Sequence, residues 1–359
     1  MWSDRRLLQL FGIEHPILLA PMAGAMDVTL AAAVANAGGL GSLPAAMLDA
    51  TRLREQVVAF RAAAPGKPIN LNFFCHTPPV PNNAREHGWR EALKPYYVEF
   101  GIDPNAPVPV SNRAPFDEAF CAVVEELAPE VVSFHYGLPE AALVARVKGT
   151  GAKIVSSATT VAEAVWLDTH GCDAIIAQGF EAGGHRGMFL SDDLAYQIGT
   201  FALVPLLADA VKAPVVAAGG ISDARGIVAA LALGAAGVQI GSAYLHCPES
   251  KIAAPHRALL RSARGRETAV TNVMTGRPAR GFINRVMREL GPISPLAPAF
   301  PLAGGALAPL GAKAQGQGSG DFSSMWAGQA AGLGKELPAG ELTVALANEA
   351  QALMRRMAS

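Results

Sequence analysis

The sequence predicts an α/β protein built on a (β/α)8 TIM barrel. Over the first two-thirds of its 359 residues, eight short apolar segments alternate with segments of helical pattern. Continuous apolar runs of this length are typical of parallel strands that helices cover on both faces. The predicted strands are residues 17–21, 40–43, 69–74, 131–136, 153–157, 174–178, 215–218 and 237–241. A doubly wound open sheet is the alternative, although such a sheet usually has fewer strands.

Two regions interrupt the strand–helix repeat. Residues 75–115 are too rich in proline for one plain crossover helix, which predicts an insertion over the barrel mouth after the third strand. Beyond residue 248 the repeat stops. We expect a barrel domain at 1–248 and a smaller C-terminal lobe at 249–359 on the substrate side. This tail has helical patterns at 253–264, 282–289 and 342–357, the last a closing helix, and a Gly/Ala/Pro-rich run at 291–320.

Composition limits the classes of function. The chain is 51% hydrophobic and 16% charged, which is enough for one large core and a smaller lobe. A net charge of −1 predicts no broad attraction to nucleic acid or to an anionic membrane. The four cysteines are widely separated, as expected of thiols in a cytoplasmic protein. The histidine spacing predicts no metal site, and a homodimer is compatible with the sequence.

The most informative segment is a glycine-rich loop, residues 178–187, directly after the sixth predicted strand. With so few side chains, such a loop lets a flat ligand approach the backbone closely. His185 lies in this loop, and an imidazole can move a proton near neutral pH. Since TIM-barrel active sites lie at the carboxyl ends of the strands, His185 is the first catalytic candidate. The alternative is a tight turn with an incidental histidine.

Two further loops have the composition of a phosphate site. Gly219 and Gly220 follow the seventh predicted strand, and Gly241 and Ser242 follow the eighth. The glycines leave backbone N–H groups open to an anion, and Ser242 adds a hydroxyl donor. Helix starts near residues 222–223 and after 242 would point positive dipole ends the same way. Close helix–strand packing at glycine is the alternative interpretation.

Side chains at other strand ends are expected on the same face. Met22 follows the first strand and could lie against a ring system. Asn72 and Gln178 end apolar strands, and their amides could bond either a ligand ring or the local backbone. His135, at the end of the fourth strand, is the second catalytic candidate and could equally be a satisfied core residue. Trp326 would suit contact with a flat ligand or packing in the core.

These motifs together resemble the nitronate monooxygenase family. The resemblance runs from residue 21 to about 329 and rests on the order and spacing of seven segments: 21–24, 70–73, 133–137, 178–185, 218–221, 239–243 and 326–329. It implies a TIM barrel that binds FMN non-covalently and oxidises alkyl nitronates with O₂. It also implies that His185 is the catalytic base, which would be needed chiefly when the substrate arrives as a neutral nitroalkane.

The resemblance further implies which residues hold the cofactor. Asn72, Gln178 and Gly183 would contact the flavin, and its phosphate end would be held by Gly220, Gln239, Ile240, Gly241 and Ser242. The segment around His135 is similar to the branch that oxidises nitronates, and related reductase branches typically lack it. The rival functions are a flavin-dependent NAD(P)H:quinone or enoyl-thioester reductase and a non-catalytic flavin-binding barrel.

Overall fold

The computed structural model describes residues 2–109 and 113–358, and eight of its strands form a parallel barrel. The strands in chain order are β1 (Ile17–Leu19), β2 (Gly41–Pro44), β3 (Ile69–Phe74), β4 (Val131–His135), β5 (Lys153–Ala158), β6 (Ala174–Gln178), β7 (Gly184–His185), β8 (Val215–Ala218), β9 (Gly237–Ile240), β10 (Thr268–Thr271) and β11 (Ala279–Phe282). The barrel order is β1-β9-β8-β6-β5-β4-β3-β2, and a parallel bridge between Leu18 and Leu40 joins its two edges. The predicted TIM barrel and its eight strands are confirmed.

Capping side chains explain where the helices around the barrel begin. The helices are α1 (Arg6–Phe11), α2 (Val28–Asn36), α3 (Ala50–Ala63), α4 (Asn83–Glu99), α5 (Glu118–Leu127), α6 (Ala141–Gly149), α7 (Val161–Thr169), α8 (Thr200–Ala210), α9 (Ala224–Ala232), α10 (Ala254–Arg261), α11 (Arg285–Glu289), α12 (Ala303–Gly316) and α13 (Ala339–Ala358). Asp27, Asp49, Asp117, Thr160 and Asp223 accept first-turn N–H groups of α2, α3, α5, α7 and α9. Each cap fixes the point at which a loop leaving the barrel ends. None of the described helices has the length and apolar character that a membrane span needs.

The last helix covers the barrel. Leu342, Leu346 and Ala350 on α13 are buried in the same core cluster as the barrel strands, and α13 packs against α2 and α9. The Tyr244 hydroxyl and the Thr343 hydroxyl form a buried hydrogen bond of 2.8 Å across this contact. The eighth barrel helix is therefore supplied from the C-terminus, after the chain has built a lobe between β9 and α13.

The proline-rich stretch after β3 contributes a long helix to this lobe. Trp89 and Tyr97 on α4 are buried against α12, and they donate hydrogen bonds to the carbonyls of Ala303 (3.1 Å) and Ala306 (2.6 Å). Tyr96 packs against Phe322 in the same cluster. Helix α4 thus belongs to a second hydrophobic cluster shared with the C-terminal segment. The domain boundary at residue 248 stays a prediction.

Two local predictions were wrong, and one helix was not predicted. Residues 303–316, inside the Gly/Ala/Pro-rich run, form α12 because close packing overrides poor helix propensity. A Cβ at Gly305 would lie 2.6 Å from the carbonyl oxygen of Pro109, so glycine is required where these backbones touch. Phe282 ends β11, and the next helix begins only at Arg285, after the Asn284 cap. Beyond Ser242 the chain makes a three-residue 3₁₀ turn instead of starting an α-helix.

A small antiparallel sheet ties the glycine-rich loop to the lobe. Strand β7 pairs with β11, which pairs with β10, and His185 lies opposite Ala279. The sequence pattern predicted only a loop at this position. The pairing fixes the His185 backbone between the barrel and the lobe.

Candidate active site

A cavity of about 540 Å³ opens at the carboxyl ends of the barrel strands, beneath the lobe. Its lining includes both candidate histidines, His185 and His135, and nearly all of the predicted cofactor residues: Met22, Asn72, Gln178, Gly183, Gly219, Gly220, Gln239, Gly241 and Ser242. The exception is Ile240, whose side chain is fully buried in the barrel core. The fold therefore brings together residues that lie more than 200 positions apart in the chain.

The His185 ring is held at one nitrogen and surrounded by aromatic side chains. Its Nε2 lies 2.9 Å from the hydroxyl oxygen of Thr275. The rings of Phe300, Trp326 and Phe74 have their centroids 5.3, 5.4 and 6.2 Å from the imidazole. Burial, and next the positive charge of Arg113, lower the pKa of His185 well below its usual value. The imidazole is neutral at pH 7 and can accept a proton.

His135 and Gln178 hold the carbonyl group of His185. The distances to that oxygen are 3.1 Å from His135 Nε2 and 2.8 Å from Gln178 Nε2. Since a carbonyl only accepts, His135 Nε2 carries the ring proton, and Nδ1 accepts from the Ser157 hydroxyl at 3.2 Å. Both ring nitrogens are thus engaged, which favours a positioning role. A direct catalytic role for His135 stays a prediction.

Gln178 and Asn72 both form hydrogen bonds within the protein through their side-chain amides. Gln178 also accepts a hydrogen bond of 2.7 Å from the Gly187 backbone N–H. The Asn72 amide group donates to the Ser133 hydroxyl at 2.9 Å. Within the part of the chain that the structure describes, the Asn72 Oδ1 accepts no hydrogen bond. It can therefore serve as an acceptor for a ligand N–H at the floor of the cavity.

The two glycine-rich loops after β8 and β9 leave room for an anion. Gly219 and Gly220 have φ angles of +113° and +71°, in the region that favours glycine. The Ser242 hydroxyl oxygen accepts a 2.9 Å hydrogen bond from the Gly328 N–H, so its own proton stays available for an anion. Helix α9 begins just beyond the first loop. Residues 242–253, all described by the structure, start no α-helix, so the loop after β9 adds no helix dipole to that of α9.

Gly183 lies where two backbones touch. A Cβ at this position would lie 2.5 Å from the Gly328 nitrogen and 2.6 Å from the Ala327 carbonyl carbon. The Gln329 N–H donates to the Glu181 carbonyl at 2.9 Å, which holds the two segments together. Any larger residue at 183 would push the lobe away from the barrel loop.

Two buried arginines, which the sequence analysis missed, support the same loop. Arg186 is wholly buried and donates to the carbonyls of Gln178 (2.8 Å) and Gly179 (2.9 Å). Arg280 donates to the Phe180 carbonyl at 3.0 Å and faces the Phe180 ring. Burial lowers the pKa of Arg186 to about 9. Nothing in the sequence distinguishes these arginines from exposed ones, because most of their partners are backbone carbonyls of a distant loop.

Buried neutral histidines should make the protein acid-sensitive. Burial lowers the pKa values of His76, His135 and His256 to about 4, whereas an unfolded histidine titrates near 6.5. Between these values the unfolded chain binds more protons, so the free energy of unfolding falls as the pH drops from 6.5 toward 4. We expect a lower urea midpoint at pH 5 than at pH 7.5.

A variant of His76 provides the control for this pH dependence. Its Nδ1 is buried without a hydrogen-bond partner, so His76→Phe removes one titrating group and loses no bond to that atom. The variant should lose less stability between pH 7.5 and 5 than the parent protein does. A parent urea midpoint that is equal or higher at pH 5 would contradict the pKa assignment.

The cavity at the carboxyl ends of the strands, with its neutral imidazole and glycine-rich loops, lies where enzymes built on a TIM barrel have their active sites. Residues 4–349 match the family model of nitronate monooxygenase, and the chain belongs to this family. Nitronate monooxygenases of Paraburkholderia phytofirmans and Pseudomonas aeruginosa are 43% and 44% identical to it. The first alignment covers 97% of this chain and 95% of the relative, and the second covers 96% and 98%.

Solved structures agree with this assignment. Nitroalkane oxidase of Streptomyces ansochromogenes superposes with a TM-score of 0.88 at 36% identity, covering 99% of this chain and all of that one. FabK of Thermotoga maritima superposes with a TM-score of 0.74 at 28% identity, covering 98% of each chain. By TM-score and by sequence identity, the chain is more similar to this nitroalkane oxidase than to FabK.

Proposed function

We propose that the protein binds FMN in this cavity and uses it to oxidise alkyl nitronates, and neutral nitroalkanes, with O₂. The observation that carries the proposal is the position of His185, a neutral imidazole in the lining of a cavity that the glycine-rich loops after β8 and β9 also line. The names of the relatives, nitronate monooxygenase and nitroalkane oxidase, support the same chemistry.

The residues present fit a flavin mononucleotide. The open backbone at Gly219 and Gly220 and the Ser242 hydroxyl suit one terminal phosphate. The free Asn72 Oδ1 suits a ring N–H, and Met22 offers a soft surface for the ring system. When bound, the flavin supplies the electron acceptor and the reaction with O₂. The sequence carries no dinucleotide fingerprint for an adenine moiety, which favours FMN over FAD.

The charges around His185 suit an anionic substrate. Arg113 lines the cavity, and its positive charge acts on the His185 ring, where it would attract a nitronate. A neutral nitroalkane must first lose its α-proton, which His185 would accept. A preformed nitronate needs no such step.

The absorption spectrum of the purified protein tests this proposal most directly. We expect an oxidised flavin spectrum, heat-released cofactor that co-migrates with FMN on chromatography, and oxygen uptake with propionate 3-nitronate. Released FAD, or no flavin after reconstitution, would contradict the FMN assignment. A coloured protein without turnover of any nitronate would favour the non-catalytic flavin-binding barrel.

The reductase alternative makes the opposite prediction for pyridine nucleotides. On anaerobic mixing with NADH, an NAD(P)H-dependent reductase would bleach its flavin quickly, and a nitronate oxidase should not. We further propose a cytoplasmic enzyme, because its cysteines are free thiols. Size-exclusion chromatography of the flavin-loaded protein would test the proposed homodimer.

A further inference from the structure

Thr275 is the protein partner of the His185 ring. Its side chain is 2% exposed and lies in the turn that joins β10 to β11. Because β11 also pairs with β7, the same hairpin that fixes the His185 backbone brings the threonine hydroxyl to the imidazole. The Asn272 side chain holds this turn in place. Its Nδ2 donates to the Ser294 carbonyl at 2.9 Å, and its Oδ1 accepts from the Ser294 N–H at 2.9 Å. The hydroxyl therefore has little freedom to move away.

The protons available to the His185 ring and the Thr275 hydroxyl determine which ring nitrogen of His185 is unprotonated. The neutral ring has one proton, and the Thr275 hydroxyl has one. If Nε2 donates to Thr275 Oγ1 at 2.9 Å, the hydroxyl can donate onward to the Arg277 carbonyl, 3.4 Å away. If the hydroxyl instead donates to Nε2, the Arg277 carbonyl loses that donor. Because buried polar groups are nearly always paired, the first arrangement is favoured.

The remaining nitrogen is then an acceptor. No group in residues 2–109 and 113–358 forms a hydrogen bond with His185 Nδ1. The nearby positive charges of Arg113 and Arg277 disfavour a second ring proton, so the ring stays neutral. A neutral ring with its proton on Nε2 has its lone pair on Nδ1.

We propose that Thr275 is a positioning residue that fixes the tautomer of His185, so that Nδ1 is the atom that accepts the α-proton of a nitroalkane. This inference rests on the proposed function, which makes His185 the base. It assigns a role to a residue that touches the base and not the substrate. It also predicts that turnover of neutral nitroalkanes depends on Thr275 more strongly than turnover of nitronates does.

Two variants of Thr275 separate the hydroxyl from the shape of the side chain. Thr275→Val keeps the shape and removes the hydroxyl, whereas Thr275→Ser keeps the hydroxyl. In the flavin-loaded enzyme we expect Thr275→Val to lower kcat/KM for nitroethane by roughly 10- to 100-fold, the usual effect of removing a partner that orients a functional histidine. Turnover of ethylnitronate should fall much less, and Thr275→Ser should restore most of the nitroethane activity.

Nitrogen NMR of the flavin-loaded protein labelled with ¹⁵N-histidine measures the tautomer itself. We expect the His185 signals of the parent protein to show a protonated Nε2 and a bare Nδ1, with the assignment made from the signals that His185→Asn removes. In Thr275→Val the protonated population should shift toward Nδ1. A parent protein with the His185 proton on Nδ1 would overturn the proposal, whatever the activity of the Thr275 variants.

The outcomes distinguish this inference from the proposed function. If Thr275→Val loses equal activity on both substrates, Thr275 serves general structure and the inference is wrong. If Thr275→Val keeps its nitroethane turnover while His185→Asn loses it, the inference is also wrong. In that case the assignment of His185 as the base still stands. If His185→Asn changes neither substrate, the base assignment itself fails, and with it any role for Thr275 through His185.

Discussion

The His185→Asn variant should lose turnover of neutral nitroethane by roughly 10²–10⁴-fold, the usual contribution of a general base. Asparagine keeps part of the hydrogen bonding at this position and cannot accept the α-proton. Turnover of ethylnitronate should fall much less, since this substrate arrives without that proton. Bound FMN should be retained, because the loops proposed to hold its phosphate follow other strands, β8 and β9. Steady-state oxygen uptake on both substrates measures the difference.

The comparison requires freshly dissolved nitroethane near neutral pH, so that little of it has ionised. His87→Asn is the matched control, because His87 is exposed on α4, away from the cavity. Equal losses on both substrates in His185→Asn would mean that His185 acts through electrostatics or positioning. If turnover of neither substrate falls, the proton acceptor does not lie in the glycine-rich loop, and His135 is the next residue to test.

The barrel could be predicted from the sequence because its strands carry a local signal. Segments such as 174–177 and 215–218 are continuously apolar, and the structure buries every residue in them. The glycine pair at 219–220 was also visible, since two adjacent glycines after a buried strand have few purely structural uses. Once the strands close into a barrel, their carboxyl ends meet, which places these loops and His185 at one cavity.

The contacts that complete the site could not be predicted in the same way. Thr275 reaches His185 across 90 residues of sequence, through the pairing of the two-residue strand β7 with β11. Neither strand has an alternating pattern long enough to be recognised, and the polar atoms of Thr275 carry no sequence signal of their own. Helix α12 was not predicted, because glycine locally disfavours a helix. Its glycines are required by contacts with distant backbone, such as that of Pro109, which the sequence does not reveal.

The Gly220→Asp variant should lose its flavin while keeping its fold. A carboxylate at this position would place a negative charge beside the proposed phosphate, and like charges brought together on binding cost several kcal/mol. An FMN dissociation constant raised by about 10²-fold or more corresponds to such a cost. The backbone tolerates the change, because aspartate and asparagine are the non-glycine residues that best adopt a positive φ such as the +71° of Gly220.

Gly220→Asn is the matched control, since it has the same size and the same tolerance of this backbone but no charge. A Cβ at this position would lie 3.4 Å from the Glu181 Cβ, an ordinary contact that both variants share. We therefore expect the flavin-to-protein ratio, read from the absorption spectrum, to fall far more in the aspartate variant than in the asparagine variant. Equal losses would point to steric exclusion at this loop, and unchanged occupancy in Gly220→Asp would place the phosphate elsewhere in the cavity. A selective loss in the aspartate variant would locate the anionic end of the cofactor at the loop after β8.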